Sequence, residues 1–153
     1  MADDRHLLTD IRLQLRHAEL RPVYTVDTDQ RRVPNVAGWR EDIGIVSGSA
    51  NLGQAVFLRL LTPRGELAAL GHPEYGSRLH ELIGLQNTAT TRNLVQLFIL
   101  ESLQQEPRIA EIVSMSVEPA PGSRDRVNVL LQVRPVRFTS TVTIGPFTLE
   151  LAP

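Results

Sequence analysis

The hydrophobic pattern of the chain changes its period at Pro107, and this change restricts the fold more than any other feature. Before Pro107, apolar residues recur every three or four positions, as they do on one face of a helix. After Pro107, apolar and polar residues alternate, as they do in strands with one buried face. A chain with helices first and strands last belongs to the α+β class. The pattern therefore predicts N-terminal helices around a central buried helix, followed by a C-terminal antiparallel β-meander.

The central helix is predicted over Thr88 to Gln105, the longest helical segment. Its middle, Leu94 to Leu100, is apolar nearly all round, which is typical of a helix buried on most sides. A threonine at its start is expected to cap it. Three further helices, each with an apolar repeat of three or four residues, are predicted over Asp3 to Leu20, Ser49 to Leu61 and Ser77 to Ile83.

A polar stretch without a repeat, Val23 to Gly48, lies between the first two predicted helices. Glycines and a proline interrupt it, so we expect an irregular connector. Trp39 is the only tryptophan of the chain and is expected to anchor this connector on the core.

Alternating runs define the predicted meander. The first strand covers Ile112 to Val117, and the second buries alternate residues from Val127 to Val133. The third run is interrupted at Gly145-Pro146, and its apolar residues are Val136, Phe138, Val142, Ile144, Phe147, Leu149 and Leu151.

Charge and composition argue against several classes of partner. The formal net charge is −1, although all 16 basic side chains are arginines, so a nucleic-acid-binding protein is not indicated. No apolar run approaches the roughly 18 residues of a membrane span, and we expect no membrane partner. Cysteine is absent and the first ten residues lack the apolar run of a signal peptide, which favours assembly in the cytoplasm.

The residues that commonly bind metals do not form a known motif. No histidine has a second ligand at the spacing of an HExxH motif. Asp27 and Asp29 lack the following glycine that an EF-hand loop requires. We therefore expect neither a metal nor a cofactor. The histidines considered are His6, His17, His72 and His80.

Paired carboxylates are the main enzymatic alternative, a peptidoglycan glycosidase. Such enzymes hold two carboxyl groups roughly 5–9 Å apart across a sugar-binding cleft. Aromatic residues, which line such clefts, make up only 5% of the chain, and we expect no enzymatic activity. The candidate acids are Glu66, Glu74, Glu81, Glu101 and Glu106.

The triplet Glu106-Pro107-Arg108 follows the central helix. Proline cannot donate a helical hydrogen bond, so Pro107 fixes the helix end. The two flanking charges fit a defined ion-pair network, and they fit equally well a solvated helix end with an incidental pair. Residue chemistry alone leaves both alternatives open.

Three motifs in a fixed order resemble one family. They are LLTPRGE at Leu60 to Glu66, PEYGSRLHELIG at Pro73 to Gly84, and the long helix that ends in Glu106-Pro107-Arg108 before a strand from Ile112. Over about residues 43–151 the chain resembles the phage baseplate W protein family of contractile tails, also called gene-25-like. Relatives belong to type VI secretion baseplates and to extracellular contractile injection systems.

The resemblance implies a structural subunit of the baseplate wedge. It implies contacts with other wedge proteins through Glu106, Pro107 and Arg108, and proximity to tail tube or hub proteins. It also implies that C-terminal strands dock the first sheath subunit, and an exposed edge strand is a suitable template for this. The predicted docking residues are Val136, Phe138, Val142, Ile144, Phe147 and Leu149. Residues 43–153 would form this baseplate domain, and residues 1–42 an N-terminal helix and extended connector.

Overall fold

The computed structural model describes residues 4–14, 25–32 and 37–151. Within these residues the protein has the predicted α+β class, with two α-helices and seven β-strands. The helices are α1, Gly48–Leu61, and α2, Ala89–Leu103. The strands are β1, Thr9–Ile11; β2, Thr28–Arg32; β3, Trp39–Ile43; β4, Ile45–Ser47; β5, Ile109–Pro119; β6, Arg126–Pro135; and β7, Val142–Glu150.

The C-terminal strands form the predicted antiparallel meander, in the order β5-β6-β7. In its middle row, Val129 of β6 lies opposite Val117 of β5 and Phe147 of β7. Alternate residues of β6 face the core because side chains alternate between the two sides of a strand. Four residues on the core-facing side of β6 are fully buried: Val127, Val129, Leu131 and Val133.

Both helices contribute to the same core. Phe57 of α1 contacts Phe147 of β7 edge-on, with ring centroids 5.1 Å apart. The side chain of Thr88 accepts a hydrogen bond from the backbone N–H of Thr91 and caps α2, as predicted. Burial of α2 is more one-sided than its composition suggests: Ile99 is fully buried, whereas Leu97 is 47% exposed.

The helix predicted over Asp3 to Leu20 is wrong within the described residues. A single 3-10 turn covers Asp4–Leu7, and β1 follows and pairs with β4; residues 15–20 lie outside the described part of the chain. Side chains of α1 bind this backbone, because the Asn51 amide donates to the Leu7 carbonyl at 2.9 Å and the Gln54 amide donates to the Ile11 carbonyl at 2.8 Å. These hydrogen bonds replace the bonds to water that the backbone carbonyls lose on folding.

The connector predicted over Val23 to Gly48 is also wrong in its described part, which contains three strands. The strands β2 and β3 pair antiparallel, and Trp39 lies opposite Arg32. The indole of Trp39 is 66% exposed, so it does not anchor this segment on the core. All ten residues of β2 and β3 are exposed, and only Trp39 and Ile43 among them are apolar, so no hydrophobic period indicates these two strands.

Two local predictions near the C-terminus and one before α2 need correction. Val136 and Phe138 belong to the turn before β7, and Gly145-Pro146 lies inside β7 instead of interrupting it. Gly145 has a φ of +103°, and an added Cβ would lie 2.7 Å from the Val129 carbonyl oxygen, so only glycine fits. The short helix predicted over Ser77 to Ile83 is a 3-10 turn, Leu79–Leu82.

Candidate functional site

The three motifs of the sequence come together at one end of α2. Backbone hydrogen bonds join Ser77 N–H to the Thr62 carbonyl at 2.8 Å, and Arg64 N–H to the Ser77 carbonyl at 2.9 Å. The Ser102 hydroxyl of α2 donates to the Gly76 carbonyl at 2.9 Å. A Cβ at Gly76 would lie 2.5 Å from the Thr62 oxygen, so the glycine permits this close contact of two backbones.

The triplet after α2 contains a buried ion-pair network. Glu106 is only 5% exposed. Its Oε1 accepts a hydrogen bond from Arg108 Nε at 2.6 Å, and its Oε2 lies 3.4 Å from a terminal guanidinium nitrogen of Arg59. The Arg59 guanidinium also lies over the ring of Tyr75, 4.4 Å from its centroid. Of the two alternatives for the triplet, the structure has the defined network.

Electrostatics keep Glu106 ionised. Burial raises the pKa of the Glu106 carboxyl, because a charged group loses hydration inside a protein. The hydrogen bond and charge of Arg108, with the charge of Arg59, outweigh burial, and the pKa falls below its usual value. The buried Glu106 carboxylate therefore lies, ionised, between the guanidinium groups of Arg108 and Arg59.

Sequence reasoning missed Arg59. This residue follows Leu52 and Val56 at helical spacing and lies on the buried side of α1, where it is 7% exposed. A charged residue in an apolar stripe is rarely buried unless it is paired. The position of Arg59 in this stripe was therefore a usable signal for a buried partner such as Glu106.

A groove of about 440 Å³ runs beside the triplet. Pro107 is exposed at its wall, and Arg108 keeps part of its side chain accessible there. Leu8, which is 59% exposed, contributes to the lining from the N-terminal part of the chain. The groove thus presents apolar groups, the cationic Arg108 and the acidic Asp10, and the Arg59-Glu106 pair belongs to its lining.

Comparison with known families decides the family of this chain. A model of contractile injection system sheath initiators matches residues 24–134. The chain belongs to the sheath initiator family. The predicted gene-25-like resemblance is thereby confirmed.

A solved structure supports the same fold. It is the crystal structure of a provisionally assigned tail lysozyme from Geobacter sulfurreducens, with 22% sequence identity and a TM-score of 0.52. The match covers 66% of this chain and 88% of that chain. At this identity the likeness concerns the fold alone. A comparison with curated proteins finds no match.

The predicted docking residues of this sheath initiator family member lie in and before β7. Ile144, Phe147 and Leu149 are buried and face the core. Val136, Phe138 and Val142 are half-buried, and the last two pack against the core. Their side chains are therefore largely occupied inside the protein. What β7 presents outward is its backbone edge, since it pairs only with β6 among the described residues.

The carboxylates considered for glycosidase chemistry are mostly paired with arginines. Glu74 pairs with Arg64, and Glu81 pairs with Arg78 at 2.8 Å. These hydrogen bonds lower the pKa of both carboxyls. Arg78 also lies 3.8 Å from Glu101. A general acid needs a raised pKa instead.

The described residues place no group of three or more histidines and acids where they would hold a metal ion. Asp27 and Asp29 each contact Arg12 instead. No helix in this part of the chain has the length and apolar character to cross a membrane.

Proposed function

We propose that the protein is a structural baseplate subunit of a contractile injection machine and starts assembly of its sheath. The family match over residues 24–134 is the observation that carries this proposal. In this role it contacts other baseplate proteins on one side and a sheath subunit on the other. It enters the baseplate during assembly in the cytoplasm, and it has no enzymatic activity of its own.

We propose the outer edge of β7 as the sheath-docking site, by strand addition. An edge strand presents unpaired N–H and C=O groups to another chain. Pro146 has no backbone N–H to donate, which an edge strand tolerates. The segments Val142–Ile144 and Phe147–Glu150 on its two sides can still pair with another strand. The opposite edge, β5, contains two register shifts against β6, whereas β7 contains one, and such bulges hinder strand pairing.

Cross-linking distinguishes the two edges. Ser114 of β5 and Thr143 of β7 lie opposite Gln132 in one row of the sheet, and both are exposed. Because the chain has no cysteine, Thr143→Cys or Ser114→Cys would introduce its only thiol. In particles that carry either variant, we expect a thiol-reactive cross-linker to join position 143, and not 114, to the sheath subunit. Cross-links from position 114 alone would contradict docking on β7.

The enzymatic alternative is tested on purified cell wall. We expect the protein to leave the turbidity of a peptidoglycan suspension unchanged, because Glu106 is ionised and paired with Arg108. Clearing by the wild type that is lost in Glu106→Gln, but kept in the exposed Glu118→Gln, would show carboxylate-dependent lysis and contradict a purely structural role.

We further propose that the groove beside Glu106, Pro107 and Arg108 contacts other wedge proteins. The buried network fixes the chain at Pro107 and so presents a rigid surface. A rigid surface loses little conformational entropy on binding, which favours affinity.

A further inference from the structure

The strands β2 and β3 form a ribbon that projects from the body of the protein. All ten residues of Thr28–Arg32 and Trp39–Ile43 are exposed. An isolated two-stranded ribbon is only marginally stable in water, and this one buries neither face. A surface of this kind gains stability when a partner covers it.

The base of the ribbon is held firmly. Arg12 Nε lies 2.6 Å from Asp27, and a terminal nitrogen of Arg12 lies 2.5 Å from Asp29. Backbone bonds from Arg12 N–H to the Gly44 carbonyl and from Gly44 N–H to the Asp27 carbonyl close the base at 2.8 and 2.9 Å. A Cβ at Gly44 would lie 2.9 Å from the Arg12 guanidinium, so the glycine makes room for this clamp.

The strand register gathers like charges on one face of the ribbon. Arg31 lies directly opposite Arg40, and Asp29 directly opposite Asp42. Directly opposed like charges destabilise a strand pair. The other face carries Arg32 opposite Trp39. Asp29 is already paired with Arg12, whereas Arg31 and Arg40 have no ion-pair partner among the described residues, and an anionic partner would relieve their repulsion.

The ribbon tip, defined as Arg31, Arg32, Trp39 and Arg40, combines cationic and aromatic groups. None of the three arginines forms an ion pair with a residue in the described ranges. Trp39 is 66% exposed and is the only aromatic residue among the exposed large apolar residues of the described part of the chain. Arginine and tryptophan are the residue types that most often dominate the energy of protein interfaces.

We propose that the ribbon tip binds an acidic segment of another protein. A carboxylate between Arg31 and Arg40 removes their repulsion and accepts hydrogen bonds from both guanidiniums. Trp39 and Arg32 lie on the other face of the same two strands, so the apolar part of a segment that crosses the end of the ribbon contacts the indole there. Nucleic acid fits less well, because proteins that bind it usually carry a net basic charge, whereas the formal net charge of this chain is −1. This site is separate from the triplet and from β7, and it does not depend on the proposed sheath role.

Trp39 gives a direct signal for the test, since it is the only tryptophan of the chain. The full-length protein is titrated with poly-L-glutamate while the tryptophan emission is recorded. We expect a blue shift that saturates and that weakens with added salt, because exposed ion pairs are screened. The matched variants are Arg31→Gln/Arg40→Gln at the tip and Arg124→Gln/Arg137→Gln, which removes two exposed arginines elsewhere.

We expect the tip variant to bind poly-L-glutamate roughly tenfold more weakly, and the control variant to bind like the wild type. An unchanged emission, or equal weakening in both variants, would overturn the proposal. Tighter binding of a single-stranded DNA oligonucleotide than of poly-L-glutamate would indicate nucleic acid instead. Self-association that disappears in the tip variant, measured by sedimentation, would indicate a second copy of this chain and would also overturn it.

Discussion

At the scale of residues, the buried charge of Glu106 is the most informative feature. Glu106 is compensated by Arg108 at 2.6 Å and by Arg59 at 3.4 Å, and Arg59 is itself supported by Tyr75. The Nε of Arg59 is buried without a hydrogen-bond partner among the described residues. Removing one member of a buried pair costs about 3–5 kcal/mol, because the other charge remains uncompensated. This network therefore fixes the geometry of the triplet more than it adds net stability.

The lowered pKa of Glu106 predicts a specific pH dependence. Because its pKa is lower in the folded than in the unfolded state, its contribution to stability is present above the unfolded pKa. The contribution is lost as the pH falls through the folded pKa. We expect Glu106→Gln to lower the free energy of unfolding by about 2 kcal/mol at neutral pH and to flatten its decline below roughly pH 5.

Urea denaturation over a pH series measures this effect. Glu66→Gln, which removes an exposed carboxylate, is the control and should follow the wild type. An acid-side decline of equal slope in wild type and Glu106→Gln would show that Glu106 does not carry the pH dependence.

At the scale of elements, the contact between the first two motifs depends on Gly76. Its φ is +107°, and an added Cβ would lie 2.5 Å from the Thr62 carbonyl oxygen and 2.9 Å from Pro63. We expect Gly76→Ala to lower the free energy of unfolding by about 3 kcal/mol, from backbone strain together with the clash. Gly122→Ala is the matched control, since Gly122 has a φ of +74° and nothing within 4 Å of the added Cβ.

Chemical denaturation of both glycine variants separates the two causes. The control should lose only about 1 kcal/mol, the cost of a left-handed conformation for a residue with a Cβ. Equal losses in the two variants would mean that the close contact of the motifs contributes nothing.

Long elements were predictable because their signals are local. The repeat of α2 and the alternation of β6 extend over ten or more residues, and both elements are confirmed. By contrast, β1 has only three residues, and its partner β4 lies far along the chain. No local alternation therefore indicated a strand, and the apolar spacing of this N-terminal segment fitted a helix. The ribbon of β2 and β3 is exposed on both faces and has no hydrophobic period to detect.

In the candidate site, too, the residues with a local signal were predictable and those placed by long-range contacts were not. The triplet was found because proline and two charges follow a strong helix. Its partner Arg59 was missed because pairing between α1 and the end of α2 is a tertiary contact. The docking residues stay a prediction, since buried side chains of β7 define its position in the sheet without identifying what binds its edge.

At the scale of the whole molecule, three separate surfaces face outward: the groove beside the triplet, the edge of β7 and the ribbon tip. If the proposed wedge and sheath contacts use different surfaces, a change in the groove will affect one contact alone. Leu8 suits this test, because it lies in the groove lining, is 59% exposed and has a φ of +64°. Asparagine tolerates a left-handed conformation better than leucine, so Leu8→Asn removes the apolar contact without straining the backbone.

We expect the Leu8→Asn variant to recover less of the other baseplate proteins in a pull-down. In the double variant Leu8→Asn/Thr143→Cys, we expect each incorporated subunit to cross-link to the sheath subunit as well as Thr143→Cys alone does. The affinity should fall about tenfold or more, since a buried leucine at an interface contributes about 1.5–3 kcal/mol. The control is Leu70→Asn, which removes a 73% exposed leucine outside the groove. Unchanged recovery of baseplate proteins would exclude the groove as the wedge contact. Less cross-linking per incorporated subunit, together with lower recovery of the baseplate proteins, would contradict separate surfaces for the two contacts.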